Sequence, residues 1–525
     1  MSTFRDALEA ASRGTHENGR RWLFVPYDQL TDRLGPLSRE PATSLGIVLV
    51  ESPAKAARRP YHKQKLALVM ANLRTFALEQ ASRGVAVRHV VAHGGYAAAL
   101  SPLVAKLGPL RMMEPAEREL RQELAPLVGS GALETLPHEG WLTTDADFEA
   151  ASSDKQPPWR MDRFYAAVRR RTGVLMKGGK PLGGRMSFDT ENRERWRGEP
   201  PAPMPPRFEP SAISREVGDL VQSRFADHPG TLDLSSLPTT HADAQSSLDW
   251  AMANCLPHFG PYEDAMSTRS TGLFHTRLSP LINLHRLTPR EVLARVLSVP
   301  IPLASQEGFV RQLLGWREFV RHVHEKTDGL RLRPNGSGVE PLTPRRGSTL
   351  PDVFWGRASG LACLDRVVES VWSEGYSHHI TRLMILSNIA TLLDVSPREL
   401  TDWFWVAYID AYDWVVEPNV LGMGTYAVGE LMTTKPYVAG SAYIHRMSDF
   451  CGTCDFDPKR TCPLTPLYWS YLARNETELA SNSRMLVPLA ALRKRPESQR
   501  VRDERVFVTV RDALARGEKL GPDVR

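Results

Sequence analysis

"LGIVLVESPAKAARRPYHKQKLALVMANLRTFALEQASRGVAVRHVVAH", residues 45–93, sets the fold of the first part of the chain. It opens on an apolar run, Leu45 to Ser52, with no polar alternation. Such a run suits a strand covered on both faces. From Tyr61 to Gln80 the apolar residues recur at helical spacing. From Val85 to His93 the run is again strand-like. Strand, helix, strand implies a parallel sheet flanked by helices. Working outward, "RWLFVPYDQL" (Arg21 to Leu30), "RMMEP" (Arg111 to Pro115) and "LETLPH" (Leu133 to His138) add strands, and Ala116 to Leu127 adds a helix. The expectation is an α/β, Rossmann-like domain over 21–145. No GxGxxG follows its first strand, so nothing supports a nicotinamide-type site there. Ligands of parallel sheets sit at the carboxyl ends of strands, which makes Asp28, Gln29 and Glu51 candidates.

The first twenty residues carry no apolar secretory core and read as a flexible extension. Residues 146–230 read as an interdomain linker. Its stretch "EPPAPMPPRFEP" (Glu199 to Pro210), with six prolines in twelve residues, is stiff and extended. From 231 to 525 the pattern is helical. The clearest segments are 307–325, 364–375, 377–394 and 400–414. At 525 residues the chain exceeds one ordinary core. It has 42% hydrophobic and 24% charged residues, and no run of membrane-spanning length. These features describe a cytoplasmic monomer with no membrane. A net charge of +6 favours an acidic partner such as nucleic acid.

Four clusters carry chemistry. Three of the five cysteines crowd into "DFCGTCDFDPKRTCPLTPLYW" (Asp449 to Trp469). Cys451 and Cys454 form a C-x2-C pair, Cys462 precedes a proline, and Cys363 is the chosen fourth ligand. Cys255 reads as an ordinary buried cysteine. The set indicates a metal, with zinc and an iron–sulfur cluster both open. In "GYSHHITRLMILSN", Ser377 is read as the helix cap, with His378 and His379 in the first turn. Arg382 is placed on the face of His379. "HTRLSP" (His275 to Pro280) offers hydroxyls and an arginine suited to phosphate. Trp403, Phe404, Trp405, Tyr408, Tyr412 and Trp414 form an aromatic cluster, which core packing alone would explain.

Together and in this order, these segments resemble the prokaryotic (6-4) photolyases, the iron–sulfur bacterial cryptochromes and photolyases. "FVRQLLGWREF", "SHHITRLM", "YIDAYDWVVEPNVLGM" and "TTKPYVAG" carry the resemblance, with the cysteine placement. It implies the photolyase fold, with an α/β antenna domain and an all-α FAD-binding domain. It implies a 4Fe-4S cluster on Cys363, Cys451, Cys454 and Cys462. It places FAD against His275, Thr276, Leu278, Ser279, Trp316, Arg317, Arg382 and Asp410. It implies a 6,7-dimethyl-8-ribityllumazine antenna at Asp28, Gln29 and Glu51. The partner would be UV-damaged DNA, flipped into a cavity and met by Tyr437, Arg185 and Lys180, with Arg169 and Lys177 as further basic residues. The activity would be blue-light repair of (6-4) photoproducts, with His379 as general acid and His378 as its understudy. Trp403 and Trp355 would carry electrons, because Phe404 replaces a tyrosine. Two other departures are Tyr27, in place of a glycine, and the loop before Cys462, shortened to seven residues. A photoreceptor that signals without repair and a zinc-stapled nucleic-acid-binding protein are the rival expectations.

Overall fold

Leu45–Glu51 is buried along its entire length, as a central parallel strand must be. The structure, a computed structural model, describes residues 3–151, 156–332, 338 and 347–522. Five strands form one parallel sheet, β1 (Arg21–Phe24), β2 (Leu45–Glu51), β3 (Ala86–Val91), β4 (Leu110–Met113) and β5 (Leu133–Leu136), in the order β3-β2-β1-β4-β5. The order reverses between β1 and β4. A crevice opens at that switch point, beyond the carboxyl ends of the strands. The expected first strand is shorter than read. It stops at Phe24, and Tyr27, Asp28 and Gln29 lie in the turn beyond it.

Helix α2 (Lys63–Ser82) packs on this sheet and is buried on several sides, including at Lys65, Asn72 and Arg74. His62 starts it, because its Nδ1 accepts from Gln64 N at 3.0 Å. The expected flexible extension is instead a helix, α1 (Thr3–Ala11), resting on α2. Phe4 is 2% exposed, meets His89 edge-on at 4.8 Å, and donates its N–H to Glu216. The expected linker is also largely folded. Helix α3 (Ala212–Arg224) packs on α2, and the chain from 185 to 211, which includes the proline-rich stretch, has no regular element.

The remainder is helical. A continuous helix spans 303–326, with a wider turn at Arg311–Arg317. The domains lock through polar contacts across their boundary. Lys65 Nζ donates to the carbonyls of Trp405 (2.7 Å) and Ala411. His62 N donates to Val406 O at 2.8 Å. The Asp413 carboxylate caps the helix Arg118–Gly129 by accepting from Arg118 N at 2.7 Å.

Two buried carboxylates make the fold acid-sensitive. Burial alone would raise Glu51, but hydrogen bonds from His89 and Arg74 outweigh it and hold the carboxyl at about 2. Burial likewise opposes His324 and Arg331 at Glu417, which also stays at about 2. Both folded values lie below the ordinary 4.5. Their contribution is therefore complete above pH 4.5 and is lost as pH falls towards 2. The urea midpoint should drop across that window, and Glu417→Gln should flatten the drop. An unchanged profile in the variant would contradict this assignment.

Candidate active site

The histidine helix begins one residue later than its expected cap implies. Ser377 does not cap it; its hydroxyl pairs with Tyr408 OH at 2.8 Å. His378 takes the cap position, and His379 is the first helical residue. Reading a serine before a helix as the cap overlooked a competing partner distant in sequence. This shift separates the two histidines. The His379 side chain is 40% exposed, with Nε2 3.7 Å from Asp264 Oδ1. His378 is 2% exposed and stacks on His275 at 4.5 Å. Burial, then the neighbouring His379 and Arg382, hold the His378 imidazole well below its usual range. A neutral, buried ring is a poor acid, so His378 is not a second His379.

Three residues on, Arg382 grips Asp410 as a fork, with both N–O distances 3.0 Å. Ser279 adds its hydroxyl to the same carboxylate at 2.6 Å, and Asn283 holds the Asp410 carbonyl at 2.9 Å. Burial disfavours both charges. The mutual attraction wins, raising the guanidinium and lowering the carboxyl from their ordinary values, so the pair stays ionised. Asp410 reaches this position because the expected helix over 400–414 breaks. Helix α4 (Pro397–Ala407) ends where Tyr408 turns extended, and Tyr408 to Tyr412 form a turn. The preceding loop is backbone-strained, with Leu273 at φ 43° and Arg277 at φ 53°. Arg277 pairs with Glu374 at 2.7 Å and lies over Tyr376. His275, Thr276, Leu278 and Ser279 are all on or beside that loop. Trp316 and Arg317 lie on the helix 303–326 and have other partners. Arg317 lies over the Trp141 and Trp414 rings and pairs with Glu318, while Trp316 packs on Phe319.

An aromatic line leads from this fork to the surface. The Arg382 guanidinium lies 4.0 Å over Tyr408, which meets Trp403 at 6.1 Å. Trp403 meets Trp372 at 6.0 Å, and Trp372 stacks on Trp355 at 5.4 Å. Trp355 is 43% exposed. Trp372, on helix α5 (Ala362–Glu374), joins the two tryptophans named from sequence and was not itself singled out.

All four expected cysteine ligands line one cavity, walled by Ile444, Phe450, Phe456 and Leu464. All four are free thiols. Burial, then mutual repulsion with the other three, raises Cys363 well above a normal thiol, and burial pushes Cys462 up to about 12. The shortened loop closes without strain through Asp457. Its side chain accepts from Lys459 N and Arg460 N, and its carbonyl accepts from Cys462 N at 2.9 Å.

A second cavity lies at the sheet's switch point, facing the helical domain. Tyr27, Tyr61, Tyr96, Tyr412 and Trp405 wall it, with Lys55, Lys65, Glu117 and Glu51. Of the three antenna candidates, Glu51 lines it while Asp28 and Gln29 do not. Tyr27, hydrogen-bonded to Glu117, forms that wall, and Gln29 spends its amide on the Glu114 carbonyl. Asp28 is buried with both carboxylate oxygens unpaired, and burial pushes it up to about 7.

On the outer face, Lys180 is exposed on a short hairpin, and Arg185 pairs with Glu191 at 2.5 Å. Tyr437 is partly buried, with Asp189 and Arg193 acting on its hydroxyl. Arg169 is excluded as a phosphate contact. It is 1% exposed and donates to the carbonyls of Val174, Leu175 and Met186.

A curated relative, named (6-4) photolyase, from Agrobacterium fabrum (strain C58 / ATCC 33970) is 33% identical over 491 residues, covering 90% of this chain and 95% of its own. The chain belongs to the photolyase family. The fold agrees. A bacterial class III photolyase from Agrobacterium tumefaciens superposes with a TM-score of 0.52 at 15% identity, covering 96% of this chain and 98% of its own. The family model for deoxyribodipyrimidine photo-lyase-related protein matches residues 23–236. Within this photolyase fold, the fork's supports Ser377, Asn283 and Tyr408 come from three segments. Among the described residues, no helix is long and apolar enough to cross a membrane.

Proposed function

We propose that the protein repairs (6-4) pyrimidine–pyrimidone photoproducts in UV-damaged DNA under blue light, holding FAD at the Arg382–Asp410 fork. One observation carries this reading. A solvent-reaching imidazole, His379, lies three residues before Arg382, whose guanidinium is held ionised by the buried carboxylate of Asp410. The residues present fit a flavin. The strained loop at Arg277, the hydroxyl of Ser279 and the unpaired Nδ1 of buried His378 converge on the fork's neighbourhood. His275, Thr276, Leu278, Ser279, Arg382 and Asp410 would hold FAD. When bound and reduced, the flavin supplies one electron on absorbing blue light. Arg382, kept cationic by Asp410, supplies positive charge that favours an anionic reduced ring.

The (6-4) lesion needs a proton as its hydroxyl group returns to the neighbouring base. His379 provides it. With Nε2 turned towards Asp264, Nδ1–H is the edge left to serve the lesion oxygen. Tyr437, Lys180 and Arg185 would contact the DNA. Cys363, Cys451, Cys454 and Cys462 would hold a 4Fe-4S cluster. Four thiols lining one cavity, Cys363 buried and Cys451, Cys454 and Cys462 half-buried, fit a metal centre, because thiolates are formed and kept by the metal. The cavity at the switch point would hold an antenna such as 6,7-dimethyl-8-ribityllumazine. Its aromatic walls suit a planar heterocycle, and Glu117 Oε1 and the Tyr412 hydroxyl are buried there without partners.

The test is blue-light conversion of an oligonucleotide carrying one (6-4) lesion by the flavin-reduced protein. No conversion, with DNA bound, would favour the photoreceptor reading. The aromatic line has its own test. Trp372→Phe keeps an aromatic ring, gives up one hydrogen bond to the Phe354 carbonyl, and removes the easily oxidised indole. It should slow light-driven reduction of oxidised flavin by about tenfold or more, with repair by chemically reduced protein unchanged. Equal photoreduction in the variant would exclude this path.

A further inference from the structure

Repair asks for one imidazole, yet the site assembles three. His275, His378 and His379 each present a ring nitrogen within 4.8 Å of those of the other two. They come from two segments, the strained loop and the start of the histidine helix. His275 and His378 stack at 4.5 Å, and His379 stands edge-on to His275 at 5.2 Å. Hydrogen bonding fixes where the lone pairs lie. Nε2 of His275 faces the Glu263 carbonyl at 3.2 Å, so it carries the hydrogen and Nδ1 keeps the lone pair. Nε2 of His379 faces Asp264 at 3.7 Å. An imidazole whose far nitrogen is turned to a carbonyl or carboxylate is the arrangement that orients metal ligands. His378 is 2% exposed, and its Nδ1 has no partner.

We propose that these three imidazoles form a site for a zinc-class transition metal, and that metal bound there switches repair off. Neutral imidazoles suit Zn²⁺, Cu²⁺ or Ni²⁺ and not the hard cations Mg²⁺ or Ca²⁺. The neighbouring guanidiniums oppose a cation only in part, since Arg277 is paired with Glu374 and Arg382 with Asp410. Parallel rings cannot aim at one point, so binding must turn one of them. His378 is the ring to turn, because no hydrogen bond restrains its Nδ1. The consequence for repair rests on the lyase reading: a metal that takes the His379 lone pair occupies the atom that would carry the proton.

The test titrates zinc chloride into the flavin- and cluster-loaded protein by calorimetry, in the dark and without DNA. One site per chain is expected, weakened in His378→Phe by more than the about 10- to 100-fold that loss of an outer-shell partner costs. Equal affinity in that variant overturns the site. X-ray absorption at the zinc edge of the unaltered protein needs no variant. A shell of nitrogens at about 2.0–2.1 Å supports the site, and sulfurs at about 2.3 Å overturn it by placing zinc on cysteine. Under blue light, saturating zinc should slow repair by about 10²-fold, the contribution of a general acid, with recovery on adding EDTA. Full repair with zinc bound overturns the switch. Nitrogen-bound zinc in a protein that repairs nothing even when zinc-free upholds the site and overturns the lyase reading instead.

Discussion

His379→Ala should slow blue-light repair of a (6-4) oligonucleotide by about 10²- to 10⁴-fold, the range a positioned general acid supplies. Flavin content and affinity for damaged DNA should hold. The expectation follows from exposure. The His379 side chain is 40% exposed and makes no hydrogen bond to a buried group, so removing it leaves little unsatisfied. His378→Ala should behave differently. That ring is 2% exposed and stacked on His275, so its removal opens a cavity beside the strained loop and should loosen flavin before it touches the proton step. Single-turnover repair, normalised to bound flavin, separates the two. If both variants lose repair equally per bound flavin, the assignment of the acid to His379 alone fails.

Local pattern revealed those elements whose stability is itself local. The unbroken apolar run of β2 predicts a doubly covered strand, and the spacing of 61–80 predicts the helix that covers it. The cysteine crowding predicts a metal cavity because three ligands lie within twelve residues. What escaped has partners far along the chain. Lys65 looks like a surface lysine on a helix, but it is buried because carbonyls 340 and 346 residues away accept its protons. Ser377 has good capping chemistry, yet Tyr408 outbids the helix for its hydroxyl.

The break after Ala407 was hidden for a related reason. Tyr408 to Trp414 continue the aromatic pattern of a helix, while the contacts that go with the turn, from Arg382 and Ser279 to Asp410 and from Lys65 and His62 to backbone carbonyls, come from distant segments. Trp372 passed as ordinary core on an amphipathic helix, since its place between Trp403 and Trp355 depends on two other segments. At the N-terminus, a nine-residue helix carries too little pattern to announce itself, and Phe4 is buried only because α2 and α3 offer it a groove.

Cys454→Ser should cost more than activity: the variant should lose most of its flavin and its solubility. Cys363 lies at the start of α5, Cys451 and Cys454 on the turn after Met447, and Cys462 just before the helix Leu464–Arg474. A shared cluster would tie together three segments that also meet through an apolar wall including Phe450, Phe456 and Leu464. Where a metal centre holds segments together, its binding free energy is folding free energy, and the whole net stability of a domain is only about 5–15 kcal/mol. The loosened segment is not remote from the flavin. Helix α5 runs on from Cys363 to Gly375, directly before Ser377 and the histidine helix, and its Glu374 holds Arg277. Loss of the tie should reach the strained loop and the fork through those residues. The measurements are iron and flavin content per chain, with thermal unfolding followed by circular dichroism. A Cys454→Ser protein that keeps its unfolding temperature and its flavin, and loses only repair, would replace the structural role with a redox one.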